Sequence, residues 1–261
     1  MEAVVNVSGE AALCRHFVWL GVERTVEDLV LKPAYGLPRQ ADRPRWQHID
    51  LINRDGFGIG WFAADGHAVT YRRTGPFEAD PDFPAFAAEV RGTCVVGAAR
   101  GASPGMPIEE AATAPFTNGK ALLSLNGHLN VALATHLHDP SYVPESTCDA
   151  AFLAQLLWQR LDAGTALVAA VPDLVRDIAA NDSNACLNLL ATDGSVVVAT
   201  TWGETLCYRE APEGVIVASE PHDYEPHWVT VPDRHLLIAT PTGVKVTALD
   251  PVAAPALTDP V

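Results

Sequence analysis

Basic residues are scarce: 17 Lys and Arg stand against 32 Asp and Glu, a formal net charge of -15 over 261 residues. A chain so short of cations has no long track that follows a phosphate backbone, so nucleic-acid binding drops out. Paired cysteines are missing too. Cys14, Cys94, Cys148, Cys186 and Cys207 are odd in number, contain no CxxC, and show no Cys/His spacing suited to zinc. Neither a disulfide framework nor a metal is expected, and nothing asks for a cofactor. No apolar run has the length of a membrane span, and Met1 to Leu13 lack the basic start and apolar stretch of a secretory signal. The expected compartment is the reducing cytoplasm, with no membrane partner.

What the chain does have is apolar material, 48% of it, enough for one substantial core. Apolar runs interrupted by tight-turn dipeptides recur at Asp65-Gly66, Asp193-Gly194 and Thr242-Gly243, with Glu213-Gly214 and Asn126-Gly127 extending the pattern. They predict antiparallel hairpins. Helical signals cluster in the middle. Ser146 or Thr147 is the expected cap of a helix from Asp149 to Leu161, with Phe152, Leu153, Leu156, Leu157 and Leu161 on one face. A second helix is expected over about Thr165 to Ala180, interrupted or restarted near Pro172, and a short one after Thr25, with Asp28 completing a capping box. Strands in blocks before and after helices predict α+β layers and argue against a doubly wound parallel sheet. The Pro- and Ala-rich tail, 251–261, reads as loose.

Five segments fit one chemistry. They are Leu13-Cys14-Arg15-His16 with Trp19-Leu20-Gly21 close behind, Asn53 to Trp61 with its glycine run, Arg100-Gly101-Ala102-Ser103, Ser124-Leu125-Asn126-Gly127-His128, and Glu145 to Asp149. Gly105-Met106-Pro107-Ile108, Thr200-Thr201-Trp202-Gly203, Val217 to Pro221 and Pro232 to His235 accompany them. The glycine run lacks the spacing of a dinucleotide fingerprint; its glycines are expected to let backbone approach the nucleophile, with His48 and Asn53 bracing the loop. His136 and His138 have no third ligand nearby and receive no role.

The ordered set resembles the class II glutamine amidotransferases of the N-terminal-nucleophile hydrolase superfamily. Within them it looks most like the ergothioneine-pathway amidohydrolases that remove glutamate from γ-glutamyl-hercynylcysteine sulfoxide. The resemblance implies a four-layer αββα sandwich of two mostly antiparallel sheets, formed by a single domain over 14–250. It implies Cys14 as a nucleophile whose own α-amine accepts the proton, forming a thioester that water then hydrolyses. Asn126 and the Gly127 N–H are implied as donors to the tetrahedral oxygen. Arg100 is implied to take the glutamyl α-carboxylate and Asp149 the α-ammonium, with Ser103, Asp55 and Gly56 completing the substrate site. Tyr224 and Trp228, with Glu220 and Asp223 in the same loop, are the expected contacts of a cationic leaving group. Taken one at a time, Asn126-Gly127 reads as a plain turn, Arg100 as a strand-end surface residue and Asp149 as helix-start electrostatics.

The chain departs from that pattern in carrying Met1 to Leu13 before Cys14. A retained leader makes the essential amine an amide, so the active form is expected to lack it, through a start site at Leu13 or through proteolysis. No synthase partner is expected. Two other readings are a glutaminase subunit that feeds ammonia to a separate synthase and, with the leader retained, a γ-glutamyl-binding module without turnover.

Overall fold

Successive side chains of β1 (Arg15–Thr25) point into two different cores, and the layering of the molecule follows from that division. Phe17 and Trp19 pack with a helical layer, whereas Val18 and Leu20 face a second sheet. The computed structural model describes residues 13–46 and 52–249. His48, Met1 to Ala12 of the leader and the tail fall outside the described residues.

The further strands are β2 (Gly56–Phe62), β3 (Ala68–Thr74), β4 (Arg91–Arg100), β5 (Phe116–Thr117), β6 (Leu122–His128), β7 (Cys186–Thr192), β8 (Val197–Thr201), β9 (Cys207–Ala211), β10 (Gly214–Ala218), β11 (Val229–Thr230), β12 (His235–Thr240) and β13 (Gly243–Ala248). One sheet has the order β11-β9-β10-β1-β4-β2-β3 and the other β13-β12-β8-β7-β6-β5. Every paired neighbour is antiparallel. The helices are α1 (Val26–Val30), α2 (Leu37–Asp42), α3 (Phe83–Glu89), α4 (Val131–Ala134), α5 (Asp149–Asp162) and α6 (Leu167–Ala179). α1 to α3 cover the first sheet, and α5 and α6 cover the second. Three apolar clusters fill the three interlayer spaces, which is the αββα sandwich. No helix among the described residues is long and apolar enough to cross a membrane.

The hairpins β2–β3, β7–β8, β9–β10 and β12–β13 form where the turn dipeptides place them. Asn126-Gly127 does not: it lies inside β6, opposite Asn188 and Leu187 of β7. The cap of α5 is also displaced, to Cys148, whose Sγ accepts from the Ala151 N–H at 3.4 Å. Ser146, one of the two predicted caps, instead donates its hydroxyl to Glu109 at 2.7 Å. α6 runs through Pro172, because the buried face of Val171, Leu174, Val175 and Ile178 outweighs the one intrahelical bond that proline removes. Thr25 caps α1 by accepting from the Asp28 N–H at 3.0 Å. The glycine run of β2 serves close layer packing. A Cβ at Gly58 would sit 2.3 Å from the Ala114 carbonyl oxygen, and one at Gly56 2.6 Å from Thr113 Oγ1.

α5 is held by its fully buried face, including Leu153, Leu156 and Leu157. Leu156→Ala is expected to lower unfolding free energy by about 2–5 kcal/mol, the usual cost of deleting a core leucine and leaving a cavity. Urea unfolding would measure it, and a loss below about 1 kcal/mol would show that this face is not the core it is taken to be.

Candidate active site

The start of β1, the end of β4 and the start of β2 meet at one end of the first sheet, because Arg15 pairs with Ala99 and Gly56 with Arg100. Cys14 stands just ahead of β1, half-buried, its Sγ 3.9 Å from the Gly101 carbonyl oxygen. Burial pushes its thiol upward; the Gly101 contact and the charges of Arg100 and Arg15 pull it down, and Asp149 pushes it up again. The net shift is upward, so the sulfur is protonated at neutral pH and a base must take its proton. His16, next in sequence, does not fit that task. It is fully buried with Nδ1 3.1 Å from Ser124 Oγ, and burial together with Arg15 lowers it to about 3. It is therefore a neutral and weak base.

Cys14, Arg100, Gly101, Ser103, Gly127 and Asp149 line one cavity, whose apolar wall comes from Met106, Ala112, Ala114, Phe116 and Leu125. Arg100 closes β4 and is only 7% exposed, with Nη1 buried and making no hydrogen bond. It is not the surface arginine that its strand-end position suggests in isolation. Asp149 opens α5, where its carboxylate accepts from the Leu129 N–H at 3.1 Å and the Ala150 N–H at 2.9 Å. Burial raises its pKa, and those two donors with His128 and Arg100 counter only part of the rise. The cavity thus presents a thiol, a cation and an anion around an apolar floor.

Asn126 and Gly127 reach the same end of the sandwich from β6. Asn126 is fully buried, and neither polar atom of its side chain has a partner. Such orphaned groups cost about 1–3 kcal/mol each, an expense that a bound polar atom would remove. Gly127 has φ 151°, and a Cβ there would lie 2.0 Å from the Cys186 carbonyl oxygen. Only glycine lets β6 and β7 approach so closely here.

Asp55 and Gly56 stand beside Arg100 in the same sheet. Neither lines the cavity. Asp55 accepts from the Ala102 N–H at 2.7 Å and donates its own N–H to the Arg100 carbonyl at 2.9 Å, so it fixes the turn that presents Arg100. Asn53 is buried, with its N–H donated to the Ala41 carbonyl at 2.8 Å. Tyr224 and Trp228 do not line that cavity. Trp228 Nε1 donates to Asp223 at 2.9 Å and Arg209 lies over its ring, while Tyr224 is largely exposed beside Arg45. Arginines already occupy these aromatic faces and Asp223, which is why the loop does not form the expected cationic cage.

Sequence reasoning quoted Arg15 but gave it no role. Its Nε donates to the Cys14 carbonyl at 2.7 Å, and its Nη2 lies 3.7 Å from Glu204 Oε2. Glu204 sits in a loop held by Asn188, whose Oδ1 accepts from the Trp202 and Glu204 N–H groups at 2.8 and 3.1 Å. The signal was present in the Cys-Arg-His triplet and in the segment ending at Gly203, but the pairing is three-dimensional.

No protein-family model matches the chain. The gamma-glutamyl-hercynylcysteine sulfoxide hydrolase of Mycolicibacterium smegmatis is 44% identical over 243 residues, covering 91% of this chain and 100% of that protein. The protein of the same name from Mycobacterium tuberculosis H37Rv is 42% identical over 245 residues, covering 93% and 100%. The chain belongs to the gamma-glutamyl-hercynylcysteine sulfoxide hydrolase family. Among solved structures, a glutamine aminotransferase class-II domain protein from Silicibacter pomeroyi superposes with TM-score 0.66 at 18% identity, covering 91% of this chain and 100% of that one. The glutamine phosphoribosylpyrophosphate amidotransferase of B. subtilis gives 0.67 at 16% identity, covering 91% and 49%. Those two likenesses concern the fold, which this hydrolase shares with the glutamine amidotransferases.

In a member of this hydrolase family, Gly127 is a test of how tightly β6 and β7 set the site. Gly127→Ala is expected to cost roughly 1–3 kcal/mol from the backbone conformation alone, with more from the contact with Cys186. A melting temperature within error of wild type would show that the strands can separate there without penalty.

Proposed function

We propose that this hydrolase cleaves the γ-glutamyl amide of γ-glutamyl-hercynylcysteine sulfoxide, releasing glutamate and hercynylcysteine sulfoxide, with Cys14 as nucleophile. The observation that carries the reading is the single cavity in which the Cys14 thiol stands with Arg100, Asp149 and an apolar wall. A glutamyl end has an α-carboxylate, an α-ammonium and two methylenes. Arg100 offers a planar fork to the first, Asp149 a fixed carboxylate to the second, and Met106, Ala112 and Phe116 an apolar wall to the third. Ser103 lies on the same wall as a polar contact. The names of the curated relatives support the identity of the substrate.

The mechanism requires a base for the Cys14 thiol. In the active form Cys14 is the first residue, and its α-amine takes the Sγ proton as sulfur attacks the γ-carbonyl carbon. The carbonyl electron pair moves onto oxygen, where the Asn126 side-chain amide and the Gly127 N–H stabilise it. Collapse breaks the C–N bond, and the ammonium of Cys14 protonates the departing nitrogen. Water, deprotonated by the freed amine, then attacks the thioester carbonyl; Cys14 leaves and is reprotonated. An amide nitrogen joined to Leu13 has no lone pair for these transfers, so the working chain begins at Cys14.

The direct experiment assays protein that begins at Cys14 beside Cys14→Ala on the sulfoxide conjugate. Wild type should release glutamate and the variant none; equal rates would end the assignment. Asn126→Ala should lower kcat roughly 100- to 1,000-fold, the loss typical of one oxyanion donor. Asp149 supplies a pH signature. Its pKa is raised above 3.8, so as pH falls through that raised value the carboxylate is protonated before an ordinary aspartate would be. KM is expected to climb on the acid side accordingly, and Asp149→Asn should show a high KM across the whole range. A wild-type KM that stays flat down to pH 4 would remove Asp149 from the ammonium site.

A further inference from the structure

Glutamyl recognition leaves three buried charged side chains unexplained, and all three come from segments beside Cys14. Arg15 is fully buried; Nε holds the Cys14 carbonyl, yet neither Nη1 nor Nη2 makes a hydrogen bond. The 3.7 Å separation of Nη2 from Glu204 Oε2 is an ion pair without a hydrogen bond. Glu204 is 6% exposed at its side chain, and its Oε2 is likewise without a hydrogen bond. Glu220 is fully buried; its Oε2 accepts from the Arg45 and Trp46 N–H groups at 2.8 and 2.9 Å, while its Oε1 has no partner. Glu204 and Glu220 are the two carboxylates that most favour the charged form of Arg15 against its burial.

None of the three lines the glutamyl cavity. A γ-glutamyl group seated there with its carbonyl at Cys14 must send the leaving amine away from that cavity. Next to Cys14, through Arg15, lies a cluster with an unpaired donor at Arg15 Nη1, an unpaired acceptor at Glu220 Oε1 and an Arg15–Glu204 ion pair too long for a hydrogen bond. Such a set is poorly matched to an apolar amine or to ammonia and well matched to a zwitterion. An α-amino acid leaving group has its carboxylate one carbon from the scissile nitrogen.

We propose that Arg15, Glu204 and Glu220 form a leaving-group subsite that selects amides of α-amino acids. Arg15 binds the carboxylate next to the scissile nitrogen through Nη1 and Nη2, and the free oxygens of Glu204 and Glu220 take the N–H groups of the departing amine. This deepens the reading of the same active site and rests on it. It makes the enzyme a γ-glutamyl-amino-acid hydrolase by construction, discriminating against glutamine and against γ-glutamyl amides of simple amines.

γ-Glutamyl-alanine and γ-glutamyl-ethylamide differ only by that carboxylate, and their kcat/KM ratio isolates the subsite from folding and from nucleophile chemistry. Wild type should favour the alanine conjugate roughly 10- to 100-fold, the range expected of hydrogen bonds to a buried charge. Arg15→Met should bring the ratio to within about threefold of parity. Arg15→Lys, which keeps the charge but loses the planar fork, should fall between, and it serves if the methionine variant does not fold. Glu204→Gln, which touches an N–H that both conjugates carry, should slow the two alike and leave the ratio at or above its wild-type value. A wild type without preference, or a folded Arg15 variant with the wild-type ratio, overturns the subsite and leaves these groups to buried water. A wild type that cleaves neither conjugate nor the sulfoxide substrate instead sinks the underlying reading, and the subsite with it.

Discussion

The register of β1 against β4 is the constraint on which the site depends. Arg15 opposite Ala99 places Cys14 beside the Arg100–Gly101 turn, and the same register sends Phe17 and Trp19 to one core and Val18 and Leu20 to the other. A slip of one residue would turn every one of these side chains to the wrong face and carry the thiol away from its cation. The catalytic geometry is therefore specified by apolar burial far larger than anything the site itself contributes. Asp55 adds a local lock, holding the turn after Arg100 from both sides with two hydrogen bonds. Cys148 does the same for Asp149 by capping the helix that begins there.

Most of the sandwich was legible because its signals are local. Asp65-Gly66, Asp193-Gly194 and Thr242-Gly243 are short-range turns between alternating strands, and the spacing of Leu153, Leu156 and Leu157 is a property of one helix. Asn126-Gly127 misleads for the same reason: its local chemistry is that of a turn, while the pairing of β6 with β7 that keeps it in a strand is a long-range fact. The cap at Cys148 was hidden because sulfur is an unusual cap, and Ser146 was already taken by Glu109. At the site, Cys14, Arg100, Ser103, Gly127 and Asp149 were named from the motif order and do share a cavity, but Asp55 and Gly56 turned out to support it from beside Arg100. The local composition around Tyr224 and Trp228 cannot reveal that Arg45 and Arg209 lie against their rings.

Burial sets the protonation of these side chains and also makes them costly. It raises the Cys14 thiol and the Asp149 carboxyl together, and it holds His16 neutral. A thiol kept protonated cannot react indiscriminately, and it needs a base. On the proposed mechanism the proton transfers are thereby tied to the covalent state of one nitrogen. The unpaired side chain of Asn126 and Nη1 of Arg100 are further polar groups whose burial lowers stability unless something polar occupies the space beside them. The antiparallel layers absorb that penalty, which is why the polar cluster can sit at the end of three continuous apolar cores.

The overall charge of -15 cannot by itself select a substrate that bears charges of both signs, so discrimination must be local. Arg100 and Asp149 share the cavity of Cys14, whereas Arg15 and its ion-pair partner Glu204 stand outside it. Opposite charges fixed in low dielectric do more than attract. A substrate bound backwards would set carboxylate against carboxylate, and one lacking a charged end would leave a buried group unpaired, so wrong ligands are penalised as well as right ones favoured. On the proposed reading, a molecule must satisfy both sets before its amide carbonyl comes to rest on the sulfur.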